Sequence, residues 1–243
     1  MRGARLGSHT IIKEIGRGGL GIVYLAENKA AKTVEALKIL HPERLENKAN
    51  LERFKREMEN SRILSHPNIV RLKTCETGGA IAYYTMEYCN GGSIRDMLEK
   101  RNAVLSLDEA MRIITQALSG LDYAHNVEIQ NIKLKDGSIC KGRGLVHRDI
   151  KPENLLIHRT ENSFTIKIAD FGLSKAYQLA GLYGNTQTGS VGGSLPFLSR
   201  QQLINYKYSK PEVDIWSIAA VFYFLLTGAN PRSSEGGKNP FNA

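Results

Sequence analysis

The 243-residue chain is short of several things. Its three cysteines, Cys75, Cys89 and Cys140, lie far apart and form no C-x-x-C pair. That excludes a disulfide framework and a zinc site built on cysteine pairs, and it fits a reducing, cytoplasmic setting. The most apolar run, Ile218 to Leu226, is far below the roughly 20 residues that span a bilayer. A buried helix is the expectation there, with no membrane span in this chain. The basic N-terminus MRGARLGSHT has no apolar core and is not read as a signal peptide. Internal repeats and low-complexity segments are absent. The net charge of +9 comes without interleaved aromatic and basic residues or a DNA-binding motif, so no nucleic-acid partner is expected. An apolar content of 42% and a charged content of 23% read as a soluble globular chain.

What is present falls into two halves. TIIKEIG and GIVYLAEN carry alternating apolar residues about a glycine-rich centre, and VEALKIL is a third strand candidate. Residues 48–65 read as an amphipathic helix, stopped by Pro67. VRLKTCET and AIAYYTMEY are two further strands. After Gly91 and Gly92 the pattern turns mostly helical, and residues 106–125 form a helix opened by a capping Ser106.

The stretch GLVHRDIKPENLLIH, residues 144–158, interrupts an apolar run with six polar or charged residues. Burying such groups is unfavourable unless each finds a partner. Asp149 can take a proton from a hydroxyl nucleophile, Lys151 can steady a transferring phosphoryl group, and Asn154 can hold a metal ion. In IADFG, Asp170 ends an apolar strand, a natural place for a Mg²⁺ ligand. Upstream, Gly16, Gly18 and Gly21 have G-x-G-x-x-G spacing. A dinucleotide fold with that spacing requires a helix next, whereas GIVYLAEN is β-patterned; a plain hairpin is the bland reading. Lys38 in its strand points either to solvent or to nucleotide phosphates, with Glu57 as the carboxylate that orients it. Together these residues predict a phosphoryl-transfer site.

These motifs, in this order, resemble those of the eukaryotic-like (Hanks-type) serine/threonine protein kinase family. They are GRGGLGIVY, EALKIL with Lys38, Glu57, VHRDIKPENLL, ADFG and PEVDIWSIAAVFYFLLTG, over residues from about 9 to 230. The resemblance implies an α+β, bilobal protein-kinase-like fold with a small β-rich lobe bearing one helix and a mainly helical lobe. The expected divisions are a tail over 1–8, an N-lobe over 9–88 and a C-lobe over 89–243. It implies transfer of the γ-phosphoryl of ATP to serine or threonine of protein substrates, with Mg²⁺, or Mn²⁺ in its place. Ile15, Gly16, Gly18, Gly21 and Val23 would cover ATP, and Ala36 and Leu156 would sandwich adenine. Met86 would be the gatekeeper, and Glu87 and Cys89 would offer hinge backbone bonds. Lys38, held by Glu57, would contact the phosphates. Asn154 and Asp170 would bind metal, Asp149 would be the base with Lys151 beside it, and Asp214 would brace the catalytic loop. Arg148 would link the site to an activation loop carrying Thr186 and Thr188, whose spacing to Ser194 resembles bacterial members.

Three departures stand out. The family's A-P-E stretch is Ser199-Arg200-Gln201, and Gln201 cannot form the family's ion pair. An insert over 126–143 is expected as a β-hairpin turning at Asp136-Gly137, either a surface excursion or a docking element. The chain ends where the family has further helices, so a truncated kinase is expected. The alternative reading is a nucleotide-binding but catalytically impaired scaffold or fragment.

Overall fold

The computed structural model describes residues 1–18, 21–41, 55, 58–59, 61–78, 81–133, 138–171, 195–205 and 209–232. One six-stranded antiparallel sheet uses β1 (Arg5–Leu6), β2 (His9–Gly18), β3 (Gly21–Asn28), β4 (Thr33–Leu40), β5 (Leu72–Gly78) and β6 (Ile81–Glu87), in the order β1-β2-β3-β4-β6-β5. The alternation in GIVYLAEN fixes β3, because period-2 patterning lets one face pack while the other meets solvent. Buried Tyr24 and Ala26 and exposed Glu27 follow from it. Pairing of β2 with β3 runs on to Gly18 and Gly21, with register shifts between Ile11 and Lys13 and between Glu14 and Gly16. Of the helix expected over 48–65, most residues lie outside the described ones; Met58 is fully buried in the cluster formed by Ala36, Tyr84 and Met86.

Helix α1 (Ile94–Arg101) is opened by a capping box between Ser93 and Asp96, and α2 (Leu107–Asn126) by one between Ser106 and Glu109. In each, serine accepts a backbone bond from the third helical residue, whose carboxylate returns it, so otherwise orphaned N–H groups are satisfied. The stripe of Ala110, Ile113, Ile114, Ala117, Leu121 and Ala124 faces the helical lobe's core, together with Ile218, Val221, Phe224 and Leu225 of a later helix (Glu212–Thr227).

The insert forms two paired strands, β7 (Glu128–Lys133) and β8 (Ile139–Arg143). Its expected turn at Asp136-Gly137 lies outside the described residues. The excursion leaves and returns at one place, since the Gly144 N–H donates to the Val127 carbonyl at 2.9 Å. Residues 144–154 then lead into the hairpin β9 (Leu155–Arg159) and β10 (Phe164–Ile168). This hairpin ties the halves together: Ile168 bonds Asn68 and Val70 through its backbone, and Ile157 bonds both Gly91 and Gly92. A Cβ added to Gly91 would fall 2.7 Å from the Ile157 carbonyl oxygen, so the joint is close-packed where it leaves the sheet. Helix α3 (Arg200–Asn205) and helix α4 (Glu212–Thr227), ended by Gly228 in a left-handed turn, complete the described chain. No helix among the described residues is long and apolar enough to cross a membrane.

Candidate active site

A cleft of about 730 Å³ opens between the sheet and the helical lobe. It gathers Ile15, Gly16, Gly18, Gly21, Val23, Ala36, Lys38, Met86, Glu87, Cys89, Asp149, Lys151, Asn154, Leu156 and Asp170. These come from six separate stretches of sequence. Glu57, Gly172, Thr186, Thr188 and Ser194 lie outside the described residues.

Ala36, Met86 and Cys89 pack in one apolar cluster with Val23 and Leu156 beside them, giving the inner cleft an apolar roof and floor. At the glycine-rich end the three glycines differ. A Cβ on Gly18 would meet nothing within 4 Å, and one on Gly16 only Val23 at 3.8 Å. A Cβ on Gly21 would lie inside the radius of the Ile39 carbonyl oxygen on the paired strand, so glycine is required there by packing.

Lys38 and Tyr84 are directly opposed in the register of β4 and β6, so their side chains share a face. Both reach Asp170: Lys38 Nζ is 3.0 Å from its Oδ2, and the Tyr84 hydroxyl donates to Oδ1 at 3.2 Å. Burial works against the Asp170 carboxylate, but the Lys38 ammonium and the Tyr84 hydroxyl outweigh it and hold its pKa below the ordinary value. Asp170 has φ of 57°, a region side-chain-bearing residues rarely occupy, so these contacts hold a strained backbone in place.

The loop that carries Asp149 is fixed from behind. Asp214 of α4 is fully buried. Its Oδ2 accepts from the His147 N–H at 2.8 Å and its Oδ1 from the Arg148 N–H at 2.7 Å. His125 Nε2 lies 2.8 Å from Oδ2 as well. His147 links the stretch before Asp170 to Asp149. Its Nε2–H donates to the Ala169 carbonyl at 2.8 Å, and its Nδ1 accepts from the Asp149 N–H at 3.2 Å, which assigns the proton to Nε2. Its ring also meets Phe171 edge-on at 4.9 Å.

Around the proposed base, Lys151 Nζ lies 2.9 Å from Asp149 Oδ2. Asn154 Nδ2 donates to the Asp149 carbonyl at 2.7 Å and to Oδ2 at 3.1 Å. With its nitrogen so engaged, Asn154 has its carboxamide oxygen left for a cation. The buried Asp149 Oδ1 has no hydrogen-bond partner among the described residues, an acceptor awaiting a donor. One carboxylate and one carboxamide oxygen suit Mg²⁺, which is held by a few protein oxygens together with substrate phosphates.

Two features escape a reading of motifs alone. Glu153, at the outer cleft, is already paired with Arg95 at 3.0 Å, and the Arg95 guanidinium lies 4.3 Å from the Phe224 ring centre. Gln201 is exposed, whereas Gln202 is 3% exposed and bonds the Arg148 carbonyl at 2.8 Å. The S-x-x-Q spacing of Ser199 and Gln202 was the available signal, since it marks a capping box.

The arrangement of a glycine-lined pair of strands, a strand lysine, a looped aspartate with an asparagine five residues on, and a strand-end aspartate has known counterparts. The protein kinase domain family matches residues 9–243. Serine/threonine protein kinase OSK3 of rice (Oryza sativa subsp. indica) is 34% identical over 236 residues, covering 97% of this chain and 42% of its own length. Probable serine/threonine-protein kinase PknB of Lactococcus lactis is 34% identical over 224 residues, covering 92% of this chain and 32% of its own. The crystal structure of the Mycobacterium tuberculosis PknI kinase domain superposes with a TM-score of 0.69 at 24% identity, covering 99% of this chain and 82% of that one. This chain therefore belongs to the protein kinase family and has the bilobal protein kinase fold. It spans under half the length of the rice and Lactococcus relatives.

Proposed function

We propose that this protein transfers the γ-phosphoryl group of ATP to serine and threonine hydroxyls of protein substrates. The observation that carries the reading is the convergence of Lys38, Asp149, Lys151, Asn154 and Asp170 in one cleft, with Asp149 Oδ1 without a hydrogen-bond partner among the described residues. Curated serine/threonine kinases at 34% identity supply the substrate class. Ala36, Met86 and Leu156 enclose the adenine, the backbones of Glu87 and Cys89 bond its edge, and Ile15, Gly16, Gly18, Gly21 and Val23 cover the phosphates. Lys38, with Glu57 as its carboxylate partner, binds the α- and β-phosphates. Asn154 and Asp170 hold Mg²⁺, which neutralises phosphate charge when bound.

Asp149 Oδ1 accepts the hydrogen bond of the incoming hydroxyl and receives its proton as the oxygen–phosphorus bond forms. The bond from the γ-phosphorus to the bridging oxygen breaks, and ADP leaves with that oxygen. Lys151, beside Asp149, stabilises the charge on the transferring group. Little covalent work falls to the protein, so rate comes from positioning and preorganised charge. Arg148 and the stretch bearing Thr186 and Thr188 provide control, an arginine being able to pair a phosphothreonine through two bonds.

The test offers Mg²⁺-ATP with matched peptides whose acceptor is serine, threonine or tyrosine. Phosphorylation of the first two, abolished by Asp149→Asn, is expected. ATP binding with no transfer to any peptide or to the chain itself, under Mg²⁺ or Mn²⁺, would replace this reading with a nucleotide-binding scaffold.

A further inference from the structure

We infer that Gln202 is a positioning residue for Asp149, coupling the helix after the activation segment to the backbone of the proposed base. The inference rests on the phosphoryl-transfer reading of the cleft. Ser199 Oγ accepts from the Gln202 N–H at 3.2 Å, and Gln202 Oε1 accepts from the Ser199 N–H at 3.0 Å, so the pair caps α3 reciprocally. Capping asks only for an acceptor at position 202. A glutamate would serve as well, because a helix N-terminus favours negative charge. What a glutamate lacks is the amide donor, and here that donor is in use: Gln202 Nε2 donates to the Arg148 carbonyl at 2.8 Å. The contact is buried, with Gln202 3% and Ser199 5% exposed.

The carbonyl it holds is an unusual one. Arg148 has φ of 70°, a left-handed conformation that costs a non-glycine residue energy unless its surroundings impose it. Asp214 imposes it from the N–H side, at 2.7 Å, and Gln202 from the carbonyl side. The same peptide plane carries the Asp149 N–H, which rests on His147 Nδ1. Rotating that plane would turn the Asp149 side chain with it, so Gln202 sets the direction in which the base points. The stretch leading to α3 is itself seated on α4, since Ser217 Oγ donates to the Phe197 carbonyl at 2.7 Å. Docking of this helix and alignment of the base are thus one event. Gln202, not the exposed Gln201, makes this contact.

Gln202→Glu separates the two roles, because it keeps the cap and removes the donor. Expected are a kcat lowered about 10-fold to 100-fold, as for a misaligned reacting group, and a KM for ATP within about twofold of wild type. Faster amide hydrogen exchange is expected across residues 145–155. Gln202→Met, neutral and of similar length, should show the same kcat loss and faster exchange, and covers the case in which a buried carboxylate prevents folding. A Gln202→Glu protein with wild-type kcat and unchanged exchange would overturn the inference. So would kcat losses in the two variants that merely follow their melting temperatures. Should the wild type transfer no phosphoryl group, the kinase reading fails, and hydrogen exchange across 145–155 still decides the role of Gln202.

Discussion

Asp214→Asn is a near-isosteric change at the least exposed charged group of the site. The carboxylate accepts from two backbone N–H groups, at 2.8 and 2.7 Å, and from His125 at 2.8 Å. A carboxamide has one oxygen, so one N–H, of His147 or of Arg148, would face an NH₂ group instead. Loss of one charge-assisted bond together with one orphaned buried N–H costs about 2–4 kcal/mol. For a chain of this size each kcal/mol lowers the melting temperature by about 2–4 °C, so a fall of roughly 5–15 °C is expected. The catalytic effect should be of similar size in free energy, about 2.7 kcal/mol for a 100-fold loss. Displacing the loop by about 1 Å moves Asp149 out of line and lowers kcat about 100-fold. Differential scanning fluorimetry and a coupled ADP assay, run on the same preparation below the variant's melting range, measure both. A variant that melts within 2 °C of wild type and keeps half its kcat would refute the claim that Asp214 holds the loop.

Further outcomes follow from single contacts. Gly21→Ala should weaken both ATP binding and the β3–β4 pairing, while Gly18→Ala should leave the melting temperature unchanged; equal behaviour of the two would contradict the packing at Ile39, and calorimetric titration with ATP reads the difference. Arg95→Ala should release Glu153 and raise kcat/KM severalfold for peptides with an arginine before the acceptor, relative to the same peptides with alanine. No change in that ratio would show that Glu153 does not face the substrate. Burial pushes the Cys89 thiol up to about 12, so at pH 8 it stays protonated and should react with iodoacetamide roughly a thousandfold more slowly than in the unfolded chain. Labelling at comparable rates in the native and urea-unfolded protein would place Cys89 outside the packed inner cleft.

Much of the site was legible because its chemistry is local in sequence. His147 to Asn154 lie within eight consecutive residues, so the sequence itself keeps Asp149, Lys151 and Asn154 together. The sheet was legible where alternation is clean, as in β3, whose ends agree with the pattern at both Gly21 and Asn28. It was less so in β2, where pairing continues through the glycine-rich stretch to Gly18 with bulges that no periodicity announces. Contacts between distant segments stayed hidden. Tyr84 sits in an apolar run and reads as core, yet its hydroxyl reaches a residue 86 positions away. No spacing pairs Glu153 with Arg95, 58 positions away, and only the fold brings them together. Gln202 is not told from Gln201 by sequence, and only burial separates the two.

The central claim, that this cleft moves a phosphoryl group onto serine or threonine, is tested most directly by incubating the purified chain with Mg²⁺-ATP beside its Asp149→Asn variant and mapping phosphorylated residues by mass spectrometry. The account predicts phosphate on serine or threonine of the wild type, with Thr186 and Thr188 among the sites, and none on the variant. Equal phosphorylation of wild type and variant would show that Asp149 is not the base, and an unmodified wild type with ATP bound would contradict phosphoryl transfer by this chain.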